Sequence, residues 1–198
     1  GSQKLNNLSG MQKLRQIAIH PNLVEEGNHP SGKYEEVKRK MEEIVAEGSK
    51  VLIFSQFVKM LHLVRHDLLV QNMPFAYIDG SVKDRQSQVE KFQNDKDIQI
   101  FLISLRAGGT GLNLTAAQYV FILDPWWNPA VEAQAIDRAY RIGQQKTVFS
   151  YKFITRNSIE EKILHLQQRK AMLASEIVNV DKEFFKNISN EDLRVLFE

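Results

Sequence analysis

Val51-Leu-Ile-Phe-Ser-Gln-Phe57 (VLIFSQF) is a short apolar run with β-branched and aromatic side chains. A continuous run of this length reads as a strand buried on both faces. Its neighbours decide the kind of sheet. Val58–Gln71 carries apolar residues at helical spacing, Phe75–Asp79 reads as a second strand and Lys83–Asn94 as a helix. Ile98–Ser104 (IQIFLIS) and Tyr119–Asp124 (YVFILD) read as further strands, and Val148–Ile154 as a fifth. Between the last two, Pro129–Ile142 reads as a helix with proline at its start, where a missing N–H costs nothing. Buried strands alternating with helices predict an α/β fold: a doubly wound parallel sheet with helices on both faces. Ligands of such sheets sit beyond the carboxyl ends of the strands. The polar segments at those ends are Ser55-Gln56, Asp79-Gly80-Ser81, Ser104 to Gly111 and Asp124 to Asn128.

Outward from this core, residues 11–19 read as a short helix that stops at His20-Pro21, and residues 21–32 as a loop. Lys33–Glu47 reads as an exposed helix ended by Gly48. On the other side, Ser158 and Glu161 have the spacing of a capping box opening a long helix to about Val178, with Ile159, Ile163, Leu166 and Leu173 among its apolar positions. The apolar residues Phe184, Phe185, Leu193, Leu196 and Phe197 suggest that the last stretch docks on something. The division expected is 1–2 a remnant of tag removal, 3–47 leading helices and loop, 48–156 the α/β domain, and 157–198 a C-terminal helix with an extension. The remnant implies a piece cut from a longer protein.

Composition sets bounds. The 198 residues are 43% hydrophobic and 25% charged, as expected of a soluble globular chain. No apolar run approaches the roughly 20 residues of a membrane span, so no membrane partner is expected. The absence of cysteine excludes disulfides, thiolate metal sites and cysteine catalysis. Basic and acidic residues number 26 and 24, a balance that neither demands nor excludes nucleic acid.

The chemistry lies in a few constellations. Gln134, Arg138 and Arg141 are spaced i, i+4, i+7, which puts an amide and two guanidiniums on one face of a helix. Such donor forks suit phosphate oxygens, and a guanidinium supplied to a transferring γ-phosphoryl group acts as an arginine finger. The plainer reading is a surface pair between Asp137 and Arg141. In Arg106-Ala-Gly-Gly-Thr-Gly-Leu-Asn113, Gly108, Gly109 and Gly111 let backbone approach a phosphate, or merely serve a tight turn. Asp124-Pro-Trp-Trp-Asn-Pro129 sets two tryptophans in a loop; each is suited to packing or stacking, with Trp126 the expected hydrophobic anchor. His62 and His66 read as ordinary helix residues and Asp79 as turn chemistry, so no metal site is expected. Nothing matches the phosphate loop G-x-x-x-x-G-K-[ST] or the dinucleotide fingerprint G-x-G-x-x-G.

Six segments in order resemble the C-terminal motor lobe of Swi/Snf-type ATPases of helicase superfamily 2. They are Leu14-Arg15 with His20-Pro21; Lys50 to Phe57; Ile78-Asp-Gly-Ser81 with Arg85; Ser104 to Thr115; Asp124 to Pro129; and Gln134 to Gln144. The Asp-Pro-Trp-Trp form looks more like bacterial members, whereas Tyr140 and Gln118 stand where the family commonly has His and Asp. The resemblance implies a RecA-like lobe with a C-terminal brace helix. It also implies an ATP site, with Mg2+, held mainly by an N-terminal RecA-like lobe that this chain lacks. Carried over by motif, Arg138 and Arg141 are the fingers, and Gln134, Asn113, Gly109 and Gly111 belong to the nucleotide side. Ser55, Gln56, Ser104, Arg106, Trp127 and Asn128 belong to a double-stranded DNA backbone contact. A monomeric piece, without ATPase activity of its own, is expected, from a cytoplasmic protein if bacterial and a nuclear one if eukaryotic. Alternatives are a lobe of a strand-separating helicase, a non-catalytic module binding DNA or protein, and a self-sufficient nucleotide enzyme, the last disfavoured by the missing fingerprints.

Overall fold

The computed structural model describes residues 2–105, 107, 112–141 and 143–173. Two helices lead in, α1 (Ser2–Ile19) and α2 (Gly32–Ala46), joined through a single 3-10 turn at Pro21–Leu23. The core alternates β1 (Val51–Ser55), α3 (Val58–Val70), β2 (Phe75–Ile78), α4 (Arg85–Asn94), β3 (Ile100–Ser104), β4 (Tyr119–Ile122), α5 (Pro129–Asp137) and β5 (Phe149–Lys152). Helix α6 follows from Ile159 to Leu173. The five strands form one sheet in the order β2-β3-β1-β4-β5, and every pairing is parallel. The doubly wound reading holds.

Alternation along the central strands sorts the core into two layers. Val51 and Ile53 of β1, with Ile100 and Leu102 of β3, pack against Met60, Leu61, Val64 and Leu68 of α3 and against α2. Leu52 and Phe54, with Phe101 and Ile103, face Val89 and Phe92 of α4 and Ala135 of α5. The helices that leave β1 and β4 thus lie on opposite faces, and these two strands are neighbours. Their carboxyl ends flank the crevice where a doubly wound sheet ordinarily receives a ligand.

Several local expectations change. Helix α1 begins well before residue 11. Helix α2 is not exposed all round: Tyr34, Val37, Met41 and Ile44 are buried, a spacing of one helical stripe. Ser31 caps it, accepting the Tyr34 N–H while its hydroxyl donates to the Ile19 carbonyl. Helix α5 stops at Asp137 rather than at residue 142. There the turn tightens, with Ile136 O shared by the N–H groups of Ala139 and Tyr140, and Arg138 O leaves the helical pattern to accept from Leu114 N. The Gln144 amide then donates to the carbonyls of Thr115, Ala117 and Ala139, stapling the end of α5 to the returning β3–β4 connection. At α6, Ser158 accepts the Glu160 N–H, while the Glu161 carboxylate accepts from Asn157 rather than from the cap residue itself. The expected continuation to Val178 and the docking residues 181–198 lie outside the described residues.

Candidate functional site

An open cleft of about 600 Å³ is lined by Asn113, Asp137, Tyr140 and Arg141. It lies where α5 ends and the β3–β4 connection returns, toward the amino ends of the strands. Gln144, whose N–H is held by Arg141 O, bonds to Ala117 just before β4, and Gln118 N in turn donates to Lys50 O just before β1. The two predicted nucleotide residues Asn113 and Arg141 therefore come together, both exposed. Asp137 and Arg141 form no ion pair among the described residues, so the plainer surface-pair reading does not describe this helix end.

The expected common face of Gln134, Arg138 and Arg141 is not formed, because the helix ends between them. Gln134 is exposed but does not line the cleft; Arg138 turns inward and is 7% exposed. Its Nε and Nη1 are buried without a hydrogen-bond partner among the described residues. Burial, and after it the like charge of Arg141, push the Arg138 guanidinium below its ordinary pKa. A buried guanidinium with unsatisfied donors and a cation for a neighbour is a costly arrangement that an anion would relieve. The donor set fits a polyphosphate. It offers nothing to a metal, since no group of three or more His, Cys, Asp or Glu residues gathers among the described residues. Gly109, Gly111 and Arg106 lie outside the described residues. Of the neighbouring described residues, Ala107 O accepts from Arg85 (3.0 Å) and Ala116 N donates to Gln93 Oε1 (2.9 Å).

The second group of predicted residues lies at the other end of the sheet. Ser55 and Ser104 are register partners at the ends of β1 and β3, and both are buried. The Ser55 hydroxyl donates to Asp124 Oδ1 (2.6 Å) and accepts from Phe57 N (3.0 Å), so in this conformation it has no proton to offer a phosphate. Gln56 is half-buried; its N–H points to Asp124 Oδ2 and its side-chain amide to Pro125 O. Asn128 caps α5 by accepting from Ala130 N (3.0 Å) and keeps part of its surface in solvent. The two tryptophans exchange their expected parts. Trp127 is the deeper anchor, 6% exposed among Met11, Ile159, Ile163 and Leu166, with the Arg15 guanidinium 4.9 Å from its ring centre. Trp126 is half-buried against the other core layer. A ring buried as Trp127 is presents no face for a base.

Around these loops stand polar residues that sequence reasoning passed over. Glu132 is 4% exposed; it accepts from Trp126 N (2.6 Å) and from Gln167 of α6 (3.1 Å) and pairs with Lys152 of β5. Lys33 pairs with Glu160 at 2.5 Å, with side chains 4% and 1% exposed. Their partners are remote in sequence, so no local motif announces them. Asp79 behaves as expected, accepting the N–H and hydroxyl of Ser81 and the Tyr77 hydroxyl in a turn. Gln118 accepts the Ser49 hydroxyl (2.7 Å), a structural bond away from the cleft.

An all-parallel sheet of this order, covered on both faces and with no phosphate loop, defines a RecA-like α/β domain. Residues 33–143 match the family described as "Helicase conserved C-terminal domain", and the chain belongs to it, in the SWI2/SNF2 ATPase branch. The solved C-terminal domain of the Sulfolobus solfataricus SWI2/SNF2 ATPase is 35% identical, with a TM-score of 0.74 over 98% of this chain and 82% of that one. The ATPase core of the same organism in complex with dsDNA gives 35% identity and a TM-score of 0.80, over 98% of this chain and 42% of that one. The DNA repair protein rad8 of Schizosaccharomyces pombe is 44% identical over 156 residues, 77% of this chain but 14% of that protein. The chain thus spans a small part of such a relative.

Proposed function

We propose that this chain is the second motor lobe of an ATP-dependent, duplex-DNA-translocating enzyme, completing an ATP site whose phosphate loop and Mg2+ ligands belong to a first lobe. The observation that carries the reading is the buried Arg138, unsatisfied among the described residues, behind the exposed Arg141, which shares a cleft with Asn113. A cleft of that kind, open to solvent on a domain without a phosphate loop, suits one half of a shared anion site. ATP supplies the phosphoryl group and the hydrolysis energy when bound. Arg141 reaches the terminal phosphate as the lobes close and stabilises the charge that develops there. Arg138 reinforces the positive potential behind it, and Asn113 faces the sugar. Gln134, exposed one turn earlier, supports the same approach.

At the far end of the sheet, Gln56 and Asn128 meet the DNA backbone; Arg106, expected to join them by motif, and Gly109 and Gly111, expected on the nucleotide side, lie outside the described residues. Ser55, Ser104 and Trp127 hold that rim from beneath. Backbone contacts of this kind suit a motor that grips any sequence. Support comes from the SWI2/SNF2 core solved with dsDNA and from the names of the repair relatives.

The test is ATP hydrolysis with and without duplex DNA, on this chain and on a chain extended N-terminally to include the first lobe. DNA-stimulated turnover is expected in the extended chain alone. Robust turnover by the 198 residues alone would mean that a complete nucleotide site exists here, and the split-site reading would have to be abandoned.

A further inference from the structure

The crevice between the carboxyl ends of β1 and β4 is filled by the chain's own polar groups. Asp124 takes the Ser55 hydroxyl and the Gln56 N–H from β1's end. Arg15, reaching from α1, lies between the Phe57 and Trp127 rings and donates to Pro125 O. Lys33, in the first turn of α2, donates to Leu123 O (2.9 Å) and to both carboxylate oxygens of Glu160 (2.6 and 2.5 Å). Glu160, in the first turn of α6, also accepts the Thr155 N–H, and the Thr155 hydroxyl donates to Ala18 O of α1. Two cations and two carboxylates are buried together, with Arg15, Asp124 and Glu160 at 3%, 1% and 1% exposed.

Stability alone does not explain such a cluster. Desolvating ions costs several kcal/mol each in general, and well-packed apolar replacements are often no less stable. A buried network does impose one relative arrangement on the elements it joins. Here those elements are α1, α2, α6 and the two strand ends that carry Gln56 and the Trp126–Asn128 loop.

We infer that Lys33 and Glu160 are a positioning pair: they lock α2 and α6 to the chain just beyond β4, and through Thr155 to the end of α1, so that the DNA-facing groups and the C-terminal helix move as one body. The role rests on the motor-lobe reading above. It predicts that DNA grip, rather than nucleotide chemistry, depends on the pair.

The experiment uses the full two-lobed protein and titrates its ATP turnover with duplex DNA. Glu160→Gln keeps the shape and removes the charge. The double variant Lys33→Met with Glu160→Met removes both charges, avoids an unpaired buried ion and keeps the fold testable by its melting temperature. In both, the half-saturating duplex concentration is expected to rise about tenfold, the size of coupling common within one ionic network, while DNA-free turnover stays within about twofold. A double variant that melts with the wild type and keeps its half-saturating concentration overturns the role, as does an equal loss of DNA-free and DNA-stimulated turnover. Wild-type turnover indifferent to duplex DNA overturns the motor reading itself.

Discussion

Arg138 and Arg141 are three residues apart and in opposite situations. The Arg141 side chain is solvated in the cleft; Arg138 is buried, with Nε and Nη1 unmet among the described residues. Their substitutions should therefore separate. In the two-lobed protein, Arg141→Ala is expected to lower ATP turnover by about 10³-fold or more while the nucleotide dissociation constant moves far less, as for an arginine finger. Turnover near wild type would remove Arg141 from that role. In this chain alone, Arg138→Met is expected to raise thermal stability, by about 1–3 kcal/mol, because it deletes a buried cation that has no partner among the described residues. A lower melting point would mean that the guanidinium has a partner in the fold. The finger role of Arg141 was expected from its motif; the burial of Arg138 was not legible in the sequence. Spacing gave one shared face, but that holds only while the helix continues, and it ends at Asp137.

Just past the end of α5, a side chain ties the chain to the β3–β4 connection. Gln144 serves three carbonyls of two segments, so Gln144→Ala should leave the Thr115, Ala117 and Ala139 carbonyls short of a donor. A loss of about 1–3 kcal/mol is expected in denaturant unfolding of this chain, with the sheet intact by circular dichroism. No loss would show that water replaces the amide freely. The α1–α2 junction carries a pH signature. His20 is 6% exposed, and its Nδ1 accepts the Asn22 N–H at 3.2 Å, which requires that nitrogen to be unprotonated. Burial lowers its pKa below 6.5, so the unfolded chain takes up the proton first. The contribution is complete above 6.5 and is lost as pH falls through 6.5 toward the folded value, by at most about 1.4 kcal/mol per pH unit. Melts at pH 7.5 and 5.5 should show a larger drop for the wild type than for His20→Asn; equal drops would place the acid sensitivity elsewhere. At this scale the strands were readable because apolar runs such as VLIFSQF state their burial outright. Helix ends and the buried face of α2 were less so, since caps come from distant residues and Lys33 finds its carboxylate 127 positions away.

Across the whole molecule, the two candidate surfaces occupy opposite ends of the sheet. The cleft that holds Asn113 and Arg141 lies toward the amino ends, and the carboxyl-end crevice is sealed by Asp124, Arg15, Lys33 and Glu160. The general rule for doubly wound sheets points to the crevice at the carboxyl ends; in this structure the chain's own charges fill its depth, which leaves its rim to meet a ligand. On the proposed reading, the rim around that seal presents neutral donors, Gln56 and Asn128, on a chain whose net charge is only +2. Neutral donors displace no counterions, so their loss should weaken DNA binding without altering its salt dependence. For Gln56→Ala in the two-lobed protein, affinity for duplex DNA is expected to fall about 3–10-fold, the worth of one or two hydrogen bonds. The fall should be equal on duplexes of unrelated sequence, because backbone contacts carry no base information. Plots of log affinity against log salt should stay parallel to those of the wild type. A slope shallower by about 0.9 would mean that a phosphate had lost a cation, and that the rim grips DNA through a charge rather than through this amide. A fall confined to one duplex sequence would instead mean that Gln56 reads a base edge, which would place this rim in a groove and not along the backbone.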